Sequence, residues 1–410
     1  MANMLRIQSD IERLKRISEP CEAGTTRIGF TQTYREGADF FKRRMVEAGL
    51  SVREDSAGNV YGKLAGSECG LPVILSGSHL DTVRCAGAFD GIAGAVCALE
   101  AARMIKENGV PLRHSFEVIG TMEEEGTRFG QVLLGSQFIT GGFGDKDLDT
   151  IVDPDGITLR EILKDYLPAD ACPAYRETSE ILAVLELHDE QGPVLEAENI
   201  DIGIVENIVA ISWLTVTVTG FAGHAGTVPM PLRQDAATGA CRLIDSIARH
   251  TTANYAHSAT ATIGKLELLP GSTNCIPAKC IFTVDLRSGS MSNIDDLTAF
   301  IQKRAEETAK ECNLTIQVHV DSRKDPIAMD RTLREMIRKS CAKSGCSCRD
   351  INSGAGHDAM IFSGRWPTAM LFVPCVKGIT HNPAEHVSPE ALAKGTDVLY
   401  QTILALDAET

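Results

Sequence analysis

Residues 72–81, Pro-Val-Ile-Leu-Ser-Gly-Ser-His-Leu-Asp, join a short apolar run to two side chains that can bind a metal ion. The run over 72–76 has the continuous apolar character of a strand buried on both faces of a parallel sheet. His79 and Asp81 follow it two residues apart, so an extended backbone would point both side chains the same way. In open α/β sheets, functional groups collect at the carboxyl ends of the strands. This stretch therefore predicts an α/β sheet with a polar site at one edge.

Two further apolar runs end in acidic or imidazole side chains. The run over 116–121 leads into three consecutive glutamates at 123–125, and the run over 181–187 leads into His188. Imidazole and carboxylate groups at neighbouring strand ends are the donors that a metal site needs. Within the glutamate run, one side chain could bind metal while another takes a proton from water. A solvated surface loop is the alternative interpretation of the same run.

Four other residues are ambiguous when each is taken alone. Asp90 opens a helix predicted over 92–108, where Asp is a common N-cap residue, although its carboxylate could also bridge two cations. His381 lies in a polar loop and is the third histidine to follow a predicted strand, in a chain with only ten. His224 lies between glycines that let backbone approach a ligand, or simply in a turn. Arg287 ends another predicted strand and could bind a substrate carboxylate or be a solvated charge.

The pattern of apolar residues divides the chain into three segments. Residues 1–210 alternate predicted strands and helices, as in the first part of a mostly parallel α/β domain. Residues 211–325 change character, because the strand at 212–219 alternates polar and apolar side chains and the order βαββαβ indicates an inserted α+β domain. The first pattern returns over 326–410. We therefore predict an α/β catalytic domain in two parts that is interrupted by one insert.

The composition excludes several classes of protein. A net charge of −15 argues against a nucleic-acid partner, which requires a basic surface. No segment reaches the roughly 18 apolar residues of a membrane span, and the amino terminus lacks the apolar core of a secretory signal. Thirteen cysteines without a repeated spacing indicate reduced thiols and hence a cytoplasmic protein. Gly-x-Ser-x-Gly, phosphate-loop and His-Glu-x-x-His motifs do not occur.

Five motifs together resemble the M20 metallohydrolases, and more narrowly their amidohydrolase branch, which includes allantoate amidohydrolase, N-carbamoyl-L-amino acid hydrolase and β-ureidopropionase. The motifs occur in order along nearly the whole chain: Glu-Glu-Gly-x-Arg-Phe (124–129), Glu-Leu-His-x-Glu-Gln-Gly (186–192), His-Ala-Gly-x-x-Pro-Met (224–230), Ser-Gly-Ala-Gly-His-Asp (353–358) and His-Asn-Pro-Ala-Glu (381–385). The resemblance implies a dinuclear-metal catalytic domain. It also implies that the inserted domain is a lid and the contact of a homodimer.

The resemblance also implies a role for each candidate residue. The metal ligands that it implies are His79, Asp90 and His188 for one ion, and Asp90, Glu125 and His381 for the other. The catalytic residues would be Glu124 as general base and acid, Asp81 as the residue that orients His79, and His224 as an oxyanion donor that reaches the partner's site. The substrate-binding residues would be Gln191, Asn274, Arg287 on the carboxylate, and the backbone of Gly354 and Gly356.

Three imidazoles and two carboxylates suit Zn²⁺ or Mn²⁺, and also Co²⁺ or Ni²⁺. The resemblance implies hydrolysis of a ureido or carbamoyl C–N bond in a small carboxylate, with release of ammonia and CO2. The motifs at 354–360 and 381–385 favour allantoate. N-carbamoyl-L-amino acids and N-carbamoyl-β-alanine are the alternatives, and a dipeptidase or deacylase is a more distant one. His188 replaces the acidic ligand of many M20 peptidases, which favours the amidohydrolase branch, whereas Asp189 stands where an apolar residue is expected.

Overall fold

The computed structural model of the protein describes residues 1–409, which fold into two compact units. The first unit comprises Met1–Glu206, Met329–Ile351 and the chain from Ala355 onward. The second comprises Asn207–Ala328 and Asn352–Gly354. Each unit has a separate apolar core. Within residues 1–409, no helix combines the length and the apolar character needed to cross a membrane.

The structure contains sixteen strands and twelve α-helices over the described residues. The strands are β1 Ser51–Glu54, β2 Val60–Leu64, β3 Val73–His79, β4 Phe116–Thr121, β5 Ile181–Asp189, β6 Ile202–Ile208, β7 Ala210–Thr219, β8 Gly223–His224, β9 Ala259–Thr262, β10 Leu266–Leu269, β11 Cys275–Ile276, β12 Lys279–Ser288, β13 Thr315–Lys324, β14 Ile327–Ala328, β15 Cys348–Ser353 and β16 Thr368–Val373. The helices are α1 Met4–Arg16, α2 Gln32–Glu47, α3 Ile92–Glu107, α4 Leu134–Thr140, α5 Asp147–Thr150, α6 Leu159–Tyr166, α7 Val194–Glu198, α8 Ala236–Tyr255, α9 Met291–Cys312, α10 Arg331–Ser344, α11 Asp358–Phe362 and α12 Pro389–Glu409.

The larger sheet has the order β1-β2-β4-β3-β5-β16-β6, and β14 and β15 also pair with β6. Its four central strands, β4, β3, β5 and β16, are parallel to one another. Every residue of β3, β4 and β16 is buried, as the continuous apolar runs predicted. The predicted α/β fold with a parallel sheet is therefore confirmed, although antiparallel strands flank its centre.

Helix α3 packs against β3 and β5 and brings its first turn to the carboxyl ends of these strands. A side chain at Gly94 would place its Cβ 2.2 Å from the carbonyl oxygen of Leu187. Glycine is therefore required where the helix crosses the sheet. Because the parallel strands end at one edge, the last residues of β3 and β5 and the loops after β3 and β4 lie there, and they carry four of the five predicted metal ligands.

The smaller sheet has the order β10-β12-β7-β13, with β9 also paired to β12, and all of these pairings are antiparallel. Strand β12 alternates buried and half-buried residues along its whole length. The sequence over 260–268 predicts a single strand, and this prediction is wrong, because β9 and β10 are separate strands that pair with opposite ends of β12. The chain leaves the ladder around Gly264, which has no side chain to pack there. Helices α8 and α9 pack against this sheet.

Candidate metal centre

Asp90 lies at the centre of the predicted ligand cluster. Its Oδ1 atom is 3.4 Å from His79 Nε2 and 3.3 Å from His188 Nε2, whereas its Oδ2 atom is 3.0 Å from His381 Nε2. His381 Nε2 also lies 3.3 Å from Glu125 Oε1. The two carboxylate oxygens of Asp90 thus face two different sets of donors, as a bridging ligand requires.

The local backbone explains why the carboxylate of Asp90 is available. The N-cap of helix α3 is Gly91, which has a positive φ of 67° and makes no side-chain cap hydrogen bond. A Cβ at this position would lie 2.4 Å from the His79 ring. Asp90 is therefore not the N-cap residue that the sequence allowed, and Gly91 lets the helix begin against the imidazole.

Two imidazoles are oriented by backbone carbonyl groups. His79 Nδ1 lies 3.0 Å from the carbonyl oxygen of Asp81, and His188 Nδ1 lies 3.0 Å from that of Asp189. A proton on Nδ1 would be donated to these oxygens, leaving Nε2 as the metal-binding atom in each ring. The family resemblance implies that Asp81 orients His79. The Oδ1 atom of Asp81, however, lies 3.8 Å from His79 Nδ1, farther than the carbonyl oxygen of the same residue.

The carboxylate of Asp81 instead organises the glutamate run. It accepts hydrogen bonds of 3.1 Å from the backbone N–H groups of Glu124 and Glu125. Glu123 shapes the other side of this turn, because it has a φ of 52° and its Oε1 accepts the N–H groups of Arg128 and Phe129. Glu123, for which the sequence suggested no role, is thus a buried residue that forms the turn, beside buried Glu124 and half-buried Glu125.

The remaining glutamate lies against the first set of donors. Glu124 Oε2 is 3.9 Å from His79 Nε2, and the residue as a whole is 8% exposed. Burial raises the pKa of Glu124 well above its ordinary value, against the opposing effect of nearby His79. A carboxylate that readily holds a proton in such a site is suited to transferring one.

The electrostatics of the cluster favour positive charge. Burial alone would raise the pKa of Asp90, but hydrogen bonds with His188, His381 and His79 hold it well below its ordinary value. Hydrogen bonds with Asp90 and Glu125 raise the pKa of His381 to about 10. Carboxylates also raise the pKa values of His79 and His188 despite burial, which acts in the opposite direction.

The donor set fits divalent cations. Two groups of donor atoms, each within 4.8 Å of one another, are His79, Asp90 and His188, and Asp90, Glu125 and His381. Further carboxylates are buried around them, namely Asp81, Glu124, Glu186, Asp189 and Glu385. Buried carboxylates on this scale need compensating positive charge, and nitrogen and oxygen donors of this kind bind first-row dications.

The other predicted site residues are divided between the two units. Gln191 follows β5, and Gly356 precedes α11, both in the first unit. In the second unit, His224 in β8 pairs with Cys275 in β11, and Asn274 accepts the N–H of Ala225 at 3.0 Å. Arg287 Nη1 donates to the carbonyl oxygen of Gly354 at 2.7 Å. Asn274 thus lies next to the strand of His224, whereas Arg287 contacts Gly354 and also forms an ion pair with Asp285.

Several buried polar residues beside the ligands have no role that the sequence predicts. Glu186 accepts hydrogen bonds from Ser78 Oγ at 2.8 Å and from the N–H of Ala359 at 2.9 Å, which ties β3 and β5 to α11. His357 is 2% exposed, and the centre of its ring lies 4.5 Å from the centre of the His188 ring. The sequence pattern could have indicated Glu186, because it lies two residues before His188 and therefore on the same face of the strand.

Comparison with known proteins places this geometry in a family. Residues 75–405 match the profile of peptidase family M20/M25/M40. The chain is 39% identical to the N-carbamoyl-L-amino-acid amidohydrolase of Paenarthrobacter aurescens over 98% of both chains. It is 36% identical to the allantoate amidohydrolase of Escherichia coli K12, over 92% of this chain and 91% of that protein.

A solved structure has the same fold. The crystal structure of an amidase of the hydantoinase/carbamoylase family from Burkholderia multivorans superimposes with a TM-score of 0.92. It is 33% identical and the match covers 99% of this chain and 98% of that one. The chain therefore belongs to the M20 family, within its hydantoinase/carbamoylase amidohydrolase branch, and is a metal-dependent hydrolase that acts on C–N bonds.

Proposed function

We propose that the protein hydrolyses N-carbamoyl-L-amino acids to the free amino acid, ammonia and CO2. The observation that carries this proposal is the bridging position of Asp90, whose two oxygens face two sets of donors. The relative at 39% identity supports the carbamoyl amino acid as substrate. The similarity thus moves the preference from allantoate, which the sequence motifs favoured, to its alternative.

The proposed cofactor is a pair of divalent ions. His79, Asp90 and His188 would hold one ion, and Asp90, Glu125 and His381 the other. Zn²⁺ and Mn²⁺ fit these donors, as do Co²⁺ and Ni²⁺. When bound, such ions polarise a carbonyl group and lower the pKa of water from about 15.7 to about 7.

Glu124 is the proposed proton-transfer group. It takes a proton from the water that attacks the ureido carbon, and it returns that proton to the nitrogen that leaves. One C–N bond breaks and ammonia is released, and the remaining carbamate then loses CO2 to leave the amino group. The burial that raises the pKa of Glu124 supports both halves of this transfer.

The proposed substrate contacts are those that the family resemblance implies. Arg287 binds the substrate carboxylate, because a guanidinium offers paired donors to a carboxylate. His224 donates to the developing oxyanion, a contribution of about 3–4 kcal/mol for a typical donor of this kind. Further contacts are proposed for Gln191, Asn274, Gly354 and Gly356.

Allantoate is the second candidate substrate. The motifs at 354–360 and 381–385, together with the Escherichia coli relative at 36% identity, favour it. Allantoate also carries a ureido group and a carboxylate, so the same metal ligands and Arg287 would serve. Discrimination between the two substrates would then lie outside the metal centre.

A homodimer through the second unit is also proposed. In β7, buried Leu214, Val216 and Val218 alternate with a more exposed face that includes Trp213, which is 50% exposed. An exposed aromatic residue on a sheet face is suited to a protein contact. Sedimentation velocity should show a dimer that Trp213→Glu weakens, and a monomeric wild-type protein would contradict the proposal.

Ammonia release from a panel of substrates tests the proposed reaction. Purified protein loaded with Mn²⁺ or Zn²⁺ is incubated with N-carbamoyl-L-amino acids, allantoate, N-carbamoyl-β-alanine and a dipeptide. We expect the highest kcat/KM with an N-carbamoyl-L-amino acid. A higher value with allantoate would select the second candidate. Cleavage of the dipeptide without ammonia release from any ureido acid would refute both.

A further inference from the structure

Glu385 connects two loops that carry proposed metal ligands. The residue is 5% exposed, and its Oε2 atom accepts the N–H groups of Phe89 at 3.0 Å and Asp90 at 3.4 Å. It lies four residues after His381 on the same loop. One buried carboxylate therefore holds the backbone of Asp90 beside the loop that supplies His381.

The second oxygen of Glu385 reaches the same ligand through a hydroxyl group. Thr380 Oγ1 is 3.0 Å from Glu385 Oε1 and 3.1 Å from Asp90 Oδ2. The single hydroxyl proton can be donated to either carboxylate. Asp90 Oδ2 is the oxygen that faces His381, so this contact acts on the side of Asp90 proposed for the second ion.

The backbone of the turn before Asp90 lies directly against the carboxylate of Glu385. A Cβ added at Gly87 would lie 1.9 Å from Glu385 Oε2. Only glycine lets the backbone come so close to the carboxylate. His381, by contrast, has a side chain that is 47% exposed and a backbone with a φ of 52°. His381 therefore depends on its loop, rather than on surrounding packing, for its position.

We propose that Glu385 is a positioning residue for the second metal ion, and that it acts by aligning Asp90 Oδ2 with His381. The inference rests on the two-ion site proposed above. The first ion depends less on Glu385, since two of its three donors, His79 and His188, lie on strands β3 and β5 and are 2% and 1% exposed. Glu385 positions Asp90 through its hydrogen bonds. The placement of its two side-chain oxygens should therefore affect metal binding more than its negative charge does.

Calorimetric titration of metal-free protein with Mn²⁺ tests this inference without measuring activity. Wild-type protein should bind two ions. Glu385→Ala should weaken the second binding step by about 10- to 100-fold, the usual effect of losing a residue that orients a metal ligand, and leave the first step unchanged. Glu385→Gln should stay close to wild type, because an amide oxygen can accept the two N–H groups and the amide nitrogen can donate to Thr380.

Asp407 provides a matched control. It is a buried carboxylate, 7% exposed, that accepts the N–H groups of Arg113 at 3.0 Å and His114 at 2.8 Å. Asp407→Ala removes the same kind of contact between distant parts of the chain, and it should leave both binding steps unchanged. If Glu385→Ala does not fold, Thr380→Val should weaken the second step in its place, since it removes only the bridging hydroxyl.

The outcomes separate this inference from the proposed function. Two ions bound by wild type and by Glu385→Ala with equal affinity would overturn the role of Glu385 alone. Equal losses in Glu385→Gln and Glu385→Ala would show that charge, rather than alignment, is responsible, which also overturns it. A wild-type protein that binds fewer than two ions would contradict the two-ion site itself.

Discussion

The two units carry their candidate residues in opposite environments. In the first unit, His79, Asp90 and His188 are at most 5% exposed and lie among other buried carboxylates. In the second unit, His224 and Asn274 are exposed, and Arg287 is 37% exposed in its side chain. Burying ionisable groups is costly unless they are paired or bind metal. The first unit therefore indicates its chemistry by itself, whereas the second provides groups whose role depends on a substrate.

The sheets of the two units explain this difference. The central strands of the first unit are parallel and buried on both faces, and the functional groups of such a sheet collect where its strands end. Strand β12 of the second unit alternates between burial and partial exposure, and Arg287 lies along it rather than after it. The candidate metal ligands of the first unit are thus concentrated at one edge, whereas the candidate residues of the second unit lie on separate strands and loops.

Metal removal should distinguish the two units most strongly. A chelator should abolish hydrolysis, and it should lower the free energy of unfolding by about 2.7 kcal/mol for each ion that was present at 100 times its Kd. Hydrogen exchange should increase in the loops of the first unit over 79–91, 121–126, 186–191 and 378–386. Exchange in β7 and β12 should not change. Equal increases in both units would show that the metal stabilises more than the proposed centre.

Glu124→Gln tests the proton-transfer group of the first unit. The amide keeps the shape of the side chain but cannot accept the proton, so kcat should fall by about 10²- to 10⁴-fold. Metal content and KM should stay near their wild-type values. Glu123→Gln is the comparison, because its contacts are to the backbone of Arg128 and Phe129. Normal turnover in the Glu124→Gln variant would exclude Glu124 as the general base.

Arg287→Gln tests whether the second unit recognises the substrate carboxylate. Hydrogen bonds to charged groups contribute about 1.5–3 kcal/mol, so kcat/KM should fall by about 10- to 100-fold, mostly through KM. Metal affinity should not change. Arg323→Gln is a matched control, because Arg323 pairs with Asp295 as Arg287 pairs with Asp285, both within the second unit. A similar loss in both variants would mean that Arg287 has only a structural role.

Asp189→Asn should have the smallest effect. Asp189 is fully buried, and within residues 1–409 its carboxylate oxygens accept no hydrogen bond, although Oδ1 lies 3.2 Å from His188 Nδ1. Loss of this charge should weaken binding of the first ion by about tenfold. This is the smallest loss of metal affinity expected when a residue that orients a ligand is changed. Glu190→Gln, which alters the carboxylate that accepts the N–H groups of Val194 and Leu195, is the control. Unchanged metal affinity in Asp189→Asn would contradict this role.

Much of the first unit could be predicted because its signals are local. The apolar runs that became β3, β4 and β5 are continuous, and the polar residues that follow them are adjacent in sequence. Asp90 and His381, by contrast, were implied as ligands by the family resemblance, and the structure brings all five proposed ligands together. The division of the predicted strand at 260–268 was not predictable, because it depends on how β9 and β10 share the length of β12.

The sequence by itself determined the type of sheet, the donors at its strand ends and the family motifs, because each depends on residue type over a few neighbouring positions. Only the tertiary structure decided which residues support the donors. Asp81 proved to hold the glutamate turn, Gly91 replaced Asp90 as the N-cap, and Glu385 met Asp90 from a position 295 residues away. Such contacts join segments that are far apart in the chain, so no local pattern specifies them.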